Sequence, residues 1–92
     1  MPSAYKTRFE QYVINVVRQK RIEQNKSQDD IALALDLSRG YIGQVESPNH
    51  PAKYNMNHIN QLAKEFKCSP RDFFPDKPTS EALKKRKTGL RK

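Results

Sequence analysis

Apolar residues recur at helical spacing along most of this chain, and the recurrence is densest between residues 28 and 45. In QDDIALALDLSRGYIGQV, Ile31, Ala32 and Leu35 form one apolar stripe, Ile42 and Val45 form a second, and Leu37 is a plug between them. The pattern predicts two short helices, about 28–35 and 39–46, meeting at a tight turn. Arg39, Gly40, Gly43 and Gln44 fall on the face of the second helix opposite its stripe. A helix held from behind by a small core and offered forward has this distribution.

The flanking segments continue the helical period. Phe9, Tyr12, Val13, Val16 and Val17 predict a first helix over 5–24, with Pro2 and Ser3 just before its start. The β-branched cluster Val13-Ile14-Val16-Val17 would also suit a strand. The period and the Arg/Gln/Lys/Glu-rich continuation favour the helix. Asn25 suits a left-handed terminator. Ser27 then opens the second helix with a capping box in which Asp30 stands in for the usual Glu. Asp36 occupies the turn, where a positive φ is often needed and Asp is accommodated less well than Gly. Ser38 caps the third helix and Pro48 stops it.

Residues 47–54, SPNHPAKY, read as a loop. Asn55 or Asn57 caps a fourth helix with Ile59, Leu62, Ala63 and Phe66 as its buried stripe. Ser69-Pro70-Arg71-Asp72 starts a short fifth helix that carries Phe73 and Phe74 and is closed by Pro75. The expectation is an all-α bundle of five helices over residues 1–76, followed by a basic tail over 77–92 with almost no apolar residues, disordered or transiently helical.

Composition narrows the function. The 92 residues suffice for one small domain with a modest core. No apolar run reaches the roughly 18–20 residues of a membrane span, and MPSAYKTRFEQ lacks the apolar stretch of a signal peptide. The lone Cys68 excludes an internal disulfide, and with two scattered histidines it offers no metal-ligand spacing. A cytoplasmic protein without metal or cofactor is expected. Cys68 reads as a small core residue, and His50 and His58 have no partner at catalytic spacing, so no enzyme site is read. The net charge is +8. From Pro75 onward seven bases face two acids, so +5 of it lies there. Polyanion binding fits this distribution, and so does a solvated tail that aids solubility.

The spaced set from residue 18 to residue 74 resembles the lambda-repressor-like (Cro/repressor, XRE-type) helix-turn-helix DNA-binding family. The marks are Arg21 late in the first helix, Ser27-Gln28 opening the second, and Ile31-Ala32 within it. Ser38 starting the third, then Ile42, Val45 and Glu46, continue the set, and Leu62-Ala63, Phe66 and the closing Ser69-Pro70-Arg71-Asp72-Phe73-Phe74 complete it. Asp36 departs from the family's usual Gly, and Lys26 stands where an apolar residue is common. The loop 47–55 looks like an insertion.

The resemblance implies that the third helix reads the major groove with its N-terminal residues at base edges. Arg39, Gly40, Tyr41 and Gln44 then become candidate base contacts, Arg39 on guanine and Gln44 on adenine. Arg39 as a phosphate clamp or a solvated charge, and Gln44 as a plain surface residue, are the bland alternatives. Tyr41 would pack on the sugar-phosphate or simply cover the turn, the backbone contact being favoured. Arg21, Gln28, Ser38, Asn49 and Lys53 are candidate backbone contacts. The family also implies an ion pair between Arg21 and Glu46, fixing the third helix to the first. Gly40 and Gly43 would let that helix lie deep in the groove, or are tolerated on an exposed face.

The expected function is a sequence-specific regulator of double-stranded DNA, a repressor acting as a homodimer on a pseudo-palindrome. Tyr5, Phe9 and Tyr12, or Phe73 and Phe74, are candidate interface residues, with core packing as the alternative. Two rivals remain: an antitoxin-like interaction module whose tail folds on a protein partner, and a non-specific polyanion binder.

Overall fold

Side-chain caps set where each helix begins. In the computed structural model, which describes residues 5–81, α1 (Arg8–Glu23), α2 (Gln28–Leu35), α3 (Arg39–Glu46) and α4 (Met56–Phe66) lead to a 3-10 turn, Pro70–Phe73. Reciprocal capping boxes open four of these elements: Thr7 with Glu10, Ser27 with Asp30, Asn55 with His58, and Ser69 with Asp72. At the start of α3 the Ser38 hydroxyl accepts from Tyr41 N–H at 3.1 Å. Each box satisfies amides that a helix start otherwise leaves unpaired.

Two expectations are corrected here. The first helix starts at Arg8, not at residue 5, because Thr7 and Glu10 supply the capping box that Pro2 and Ser3 lack. The fifth element is a 3-10 turn of four residues, not an α-helix, so the bundle is four α-helices and that turn. Pro70 at its start and Pro75 just beyond it leave no length for a second turn.

Three of the four α-helices end in the same way, while α3 closes at Ser47 in an extended conformation. Asn25, Asp36 and Lys67 have φ of 56°, 57° and 58°. The residue after each donates its N–H five residues back: Lys26 to Arg21 O at 2.9 Å, Leu37 to Ala32 O at 2.8 Å, Cys68 to Ala63 O at 3.0 Å. This left-handed closure normally uses glycine. Asp36 therefore forms the turn between α2 and α3 despite its side chain.

The core gathers one stripe from every element. Val17, Ile31, Ile42, Val45, Leu62 and Phe73 are fully buried, and Leu37, Cys68 and Tyr41 pack against the main cluster. On α1 the buried residues are Val13, Ile14 and Val17. The predicted stripe members Phe9 and Tyr12 are instead 38% and 42% exposed. Phe9 stacks on Phe74 with ring centroids 5.9 Å apart. Phe73 belongs wholly to the core, which removes it from the candidate interface residues.

After Phe74 the chain returns to α1. The Glu81 carboxylate accepts from Arg8 N–H at 2.8 Å and Phe9 N–H at 3.0 Å, and from the Thr79 hydroxyl. Glu81, in the stretch expected to be a disordered tail, thus pairs with first-turn amides of α1. The basic run Lys84–Lys87 lies outside the described residues. No helix among the described residues is long and apolar enough to cross a membrane.

Candidate nucleic-acid interface

α3 is fixed from behind along its length. Ile42 and Val45 are at 0% exposure, while Ser38, Arg39, Gly40 and Gln44 are exposed on the outer side. The eight residues of α3 span roughly 12 Å at the standard helical rise. Neither glycine is required by packing within the chain. A Cβ built at Gly40 would meet nothing nearer than Ser38 Oγ at 3.9 Å, and one at Gly43 nothing nearer than Gln28 Oε1 at 3.7 Å.

Arg39 sits at the start of this face with its Nε 3.8 Å from Asp29 Oδ1, and both side chains are more than two-thirds exposed. An exposed pair of this kind contributes about 0–1 kcal/mol, so the guanidinium is readily released to a better acceptor.

The C-terminal end of α3 is anchored by Glu46. Arg21 grips its carboxylate with two parallel bonds, Nε to Oε2 and Nη2 to Oε1, each 3.0 Å. The Arg21 Nη1 donates to Lys26 O at 3.0 Å. Only 12% of the Arg21 side chain and 5% of the Glu46 side chain are exposed, so the pair is a tertiary strut. Arg21 was expected to serve DNA phosphates as well, but all three guanidinium nitrogens are engaged internally.

Gln28, expected to face a phosphate, has an internal partner in the free chain. Its Nε2 donates to Glu46 Oε1 at 3.0 Å, which turns the side chain inward to the strut. Asp29 and Asp30 at the same helix start add negative charge where a phosphate was expected. Arg18, not singled out in the sequence, places Nε 3.7 Å from the same Glu46 oxygen with its side chain 56% exposed.

Tyr41, a candidate DNA contact, takes a structural place in the free chain. Its ring packs on the core and its hydroxyl donates to Lys53 O at 2.7 Å, tying α3 to the loop that follows. Lys53 in turn places Nζ 3.3 Å from Glu10 Oε2 on α1, so this expected phosphate clamp is partly held by the scaffold. Asn49 is exposed in the loop, with its N–H donating to Ser47 Oγ at 3.3 Å.

Beneath α3, the Tyr54 hydroxyl is buried without a hydrogen-bond partner. Burial pushes its pKa well above the usual phenol range, and the nearby Glu46 charge adds to the rise. Lys26, the departure from the family's apolar residue, is compensated by Glu65, whose Oε2 lies 2.9 Å from its Nζ. Burial raises the pKa of the Cys68 thiol, which makes it a poorer nucleophile. Among the described residues no group of three or more His, Cys, Asp or Glu side chains could hold a metal ion.

Lys6 is the residue that sequence reasoning missed altogether. Only 3% exposed, it donates from Nζ to Val45 O at 2.7 Å, to Gln44 O at 3.3 Å and to Ser47 O. Its partners lie 38–41 positions away, and no local spacing rule reaches that far. Thr7 and Glu10, by contrast, carry a readable S/T-x-x-E signal.

A helix with two turns, a buried back and a polar front, docked against a preceding helix through a left-handed turn, has the geometry of a DNA-reading unit. Comparison with known proteins agrees. The helix-turn-helix family model matches residues 17–73. No curated protein is significantly similar. Among solved structures, the restriction-modification controller protein C.AhdI from Aeromonas hydrophila is similar. It shares 27% identity at a TM-score of 0.59, over 68% of this chain and 92% of that one. The chain belongs to the XRE-type, lambda-repressor-like helix-turn-helix family, whose members are DNA-binding transcription regulators and not enzymes.

Proposed function

We propose that this protein is a sequence-specific repressor of transcription that binds double-stranded DNA as a homodimer, with α3 in the major groove. The observation that carries the proposal is the exposed row Ser38, Arg39, Gly40 and Gln44 on a helix whose back is sealed and whose end is clamped through Glu46. Arg39 suits guanine O6 and N7, and Gln44 suits adenine N6 and N7. Ser38 and Asn49 are assigned to the phosphate backbone, with Lys53 joining them on release from Glu10. Tyr41 and Gln28 support the reading helix from behind. The likeness to a restriction-modification controller protein favours a regulatory role.

A single module buries limited DNA surface, so two copies on a pseudo-palindrome supply the affinity and specificity that one lacks. Half-sites one helical turn apart, about 34–36 Å, are the geometric expectation. Selection of bound sites from random duplex DNA tests the proposal. Enrichment of two related half-sites is the expected result, and recovery of an unenriched pool would refute specific reading. A second reading, an antitoxin-like module that docks a protein partner through its basic tail, would instead return a stoichiometric second protein on co-purification.

A further inference from the structure

Lys6 precedes α1 and reaches across to the far end of α3. Its Nζ donates to the main-chain oxygens of Gln44, Val45 and Ser47, so three ammonium protons meet three carbonyls. These oxygens belong to the last turn and C-cap of α3; Gln44 O also accepts from Ser47 N–H and Ser47 O from His50 N–H, while Val45 O, in the turn that the helix leaves without its own donors, accepts from Lys6. α3 has no basic residue of its own in that turn. Lys6 therefore brings from another part of the chain the cation that favours a helix C-terminus. A buried ammonium is tolerated only where protein acceptors replace its water, and here they do.

We infer that Lys6 is a positioning residue for DNA reading: it fixes the C-terminal end of α3 and with it the approach of Gln44 to the base edge. The inference rests on the DNA-reading proposal above. One end of α3 is set by the turn at Asp36 and the Ser38 cap. The other end is set by Arg21 on the Glu46 side chain and by Lys6 on the main chain. Over a helix of roughly 12 Å, a tilt of about 5° moves the free end by about 1 Å. Hydrogen bonds to base edges tolerate only a few tenths of an ångström beyond their optimum. Gln44, in the last turn, feels the tilt most, and Arg39, beside the pivot, feels it least.

The test uses the full chain and two duplexes: the one it enriches from random DNA, and a scrambled duplex of the same length and composition. Lys6→Met keeps the aliphatic stem and removes the ammonium. Affinities for both duplexes are measured at a temperature where circular dichroism shows the variant folded. The ratio of specific to non-specific affinity is expected to fall by roughly tenfold, the worth of one base contact. Loss of discrimination should centre on the base pair whose preference Gln44→Ala also relaxes.

A purely stabilising role would lower both affinities by the same factor, and a purely electrostatic role would lower both together with the salt dependence. An unchanged ratio therefore overturns the inference. If Lys6→Met does not fold, Lys6→Arg is read in the same way. It keeps the charge, but its flat fork cannot converge one nitrogen on three carbonyls, so the ratio should fall at an unchanged salt slope. Should the wild-type chain enrich no sequence, the DNA-reading proposal fails first and this inference falls with it.

Discussion

Replacing Gly40 and Gly43 by alanine separates what the free protein wants from what its DNA complex wants. Glycine inside a helix costs roughly 0.5–1 kcal/mol relative to alanine, because it has more conformational freedom to lose. Neither position offers a steric reason for that cost in the free protein. The nearest atoms to an added Cβ are Ser38 Oγ at 3.9 Å and Gln28 Oε1 at 3.7 Å, both ordinary contacts. Gly40→Ala, Gly43→Ala should therefore raise stability by about 1–2 kcal/mol together, with the smaller share from Gly40 in the first turn. In a domain of this size each 1 kcal/mol moves the melting midpoint by about 4–8 °C. Thermal melts measure that gain, and titration with the selected duplex measures its consequence. If the glycines allow α3 to lie deep in the groove, two added methyl groups should weaken binding by about 1–3 kcal/mol, the usual cost of overpacking a close interface. A more stable variant with unchanged affinity for that duplex would refute the close-approach reasoning and leave the glycines as tolerated on an exposed face.

Three further outcomes are expected. Removing either partner of the Arg21–Glu46 strut, as in Arg21→Met or Glu46→Gln, should destabilise by about 3–5 kcal/mol because the other charge is left buried. A double-mutant cycle should show coupling of about 1–3 kcal/mol, and no coupling would sink the strut. His58 accepts from Asn55 N–H through Nδ1 at 3.0 Å, and burial lowers its pKa below the usual 6.5. The unfolded chain then binds the proton more readily, so stability is full above pH 6.5 and declines as the pH falls through the lowered folded value. His58→Gln, which keeps a capping acceptor without a titration, should flatten that part of a pH series of denaturant melts. Deleting residues 82–92, which keeps the Glu81 cap on α1, should reduce the salt dependence of DNA binding by about one unit of slope per lost phosphate contact. An unchanged slope would make the tail a bystander.

Most of the elements were legible because their signals are local. Ser27 with Asp30, Ser38 and Ser69 with Asp72 announce their helix starts within three residues, and the structure uses each of them. The stripes Ile31-Ala32-Leu35 and Ile59-Leu62-Ala63-Phe66 are buried as the helical period requires. On α1 the period was blurred by a run of β-branched and aromatic residues, and the buried set shifted to include Ile14 in place of Phe9 and Tyr12. The start of α1 was misplaced although Thr7 and Glu10 carry its signal, because Pro2 and Ser3 offered a competing one.

What the sequence determined by itself is the set of short-range choices: helix period, caps, the turn at Asp36, and the exposed row on α3. Side-chain assignments to DNA lie beyond its reach because polar groups choose among partners that only folding brings near. Arg21 and Gln28 turn to Glu46, 25 and 18 positions away, and Tyr41 turns to the carbonyl of Lys53. Lys6 crosses to the end of α3. Each of these groups would be equally satisfied by water or phosphate in an open chain. Burial removes the water, and the nearest carboxylate or carbonyl takes its place. Tertiary structure thus decided which polar residues brace α3 and which stay exposed on its outer face.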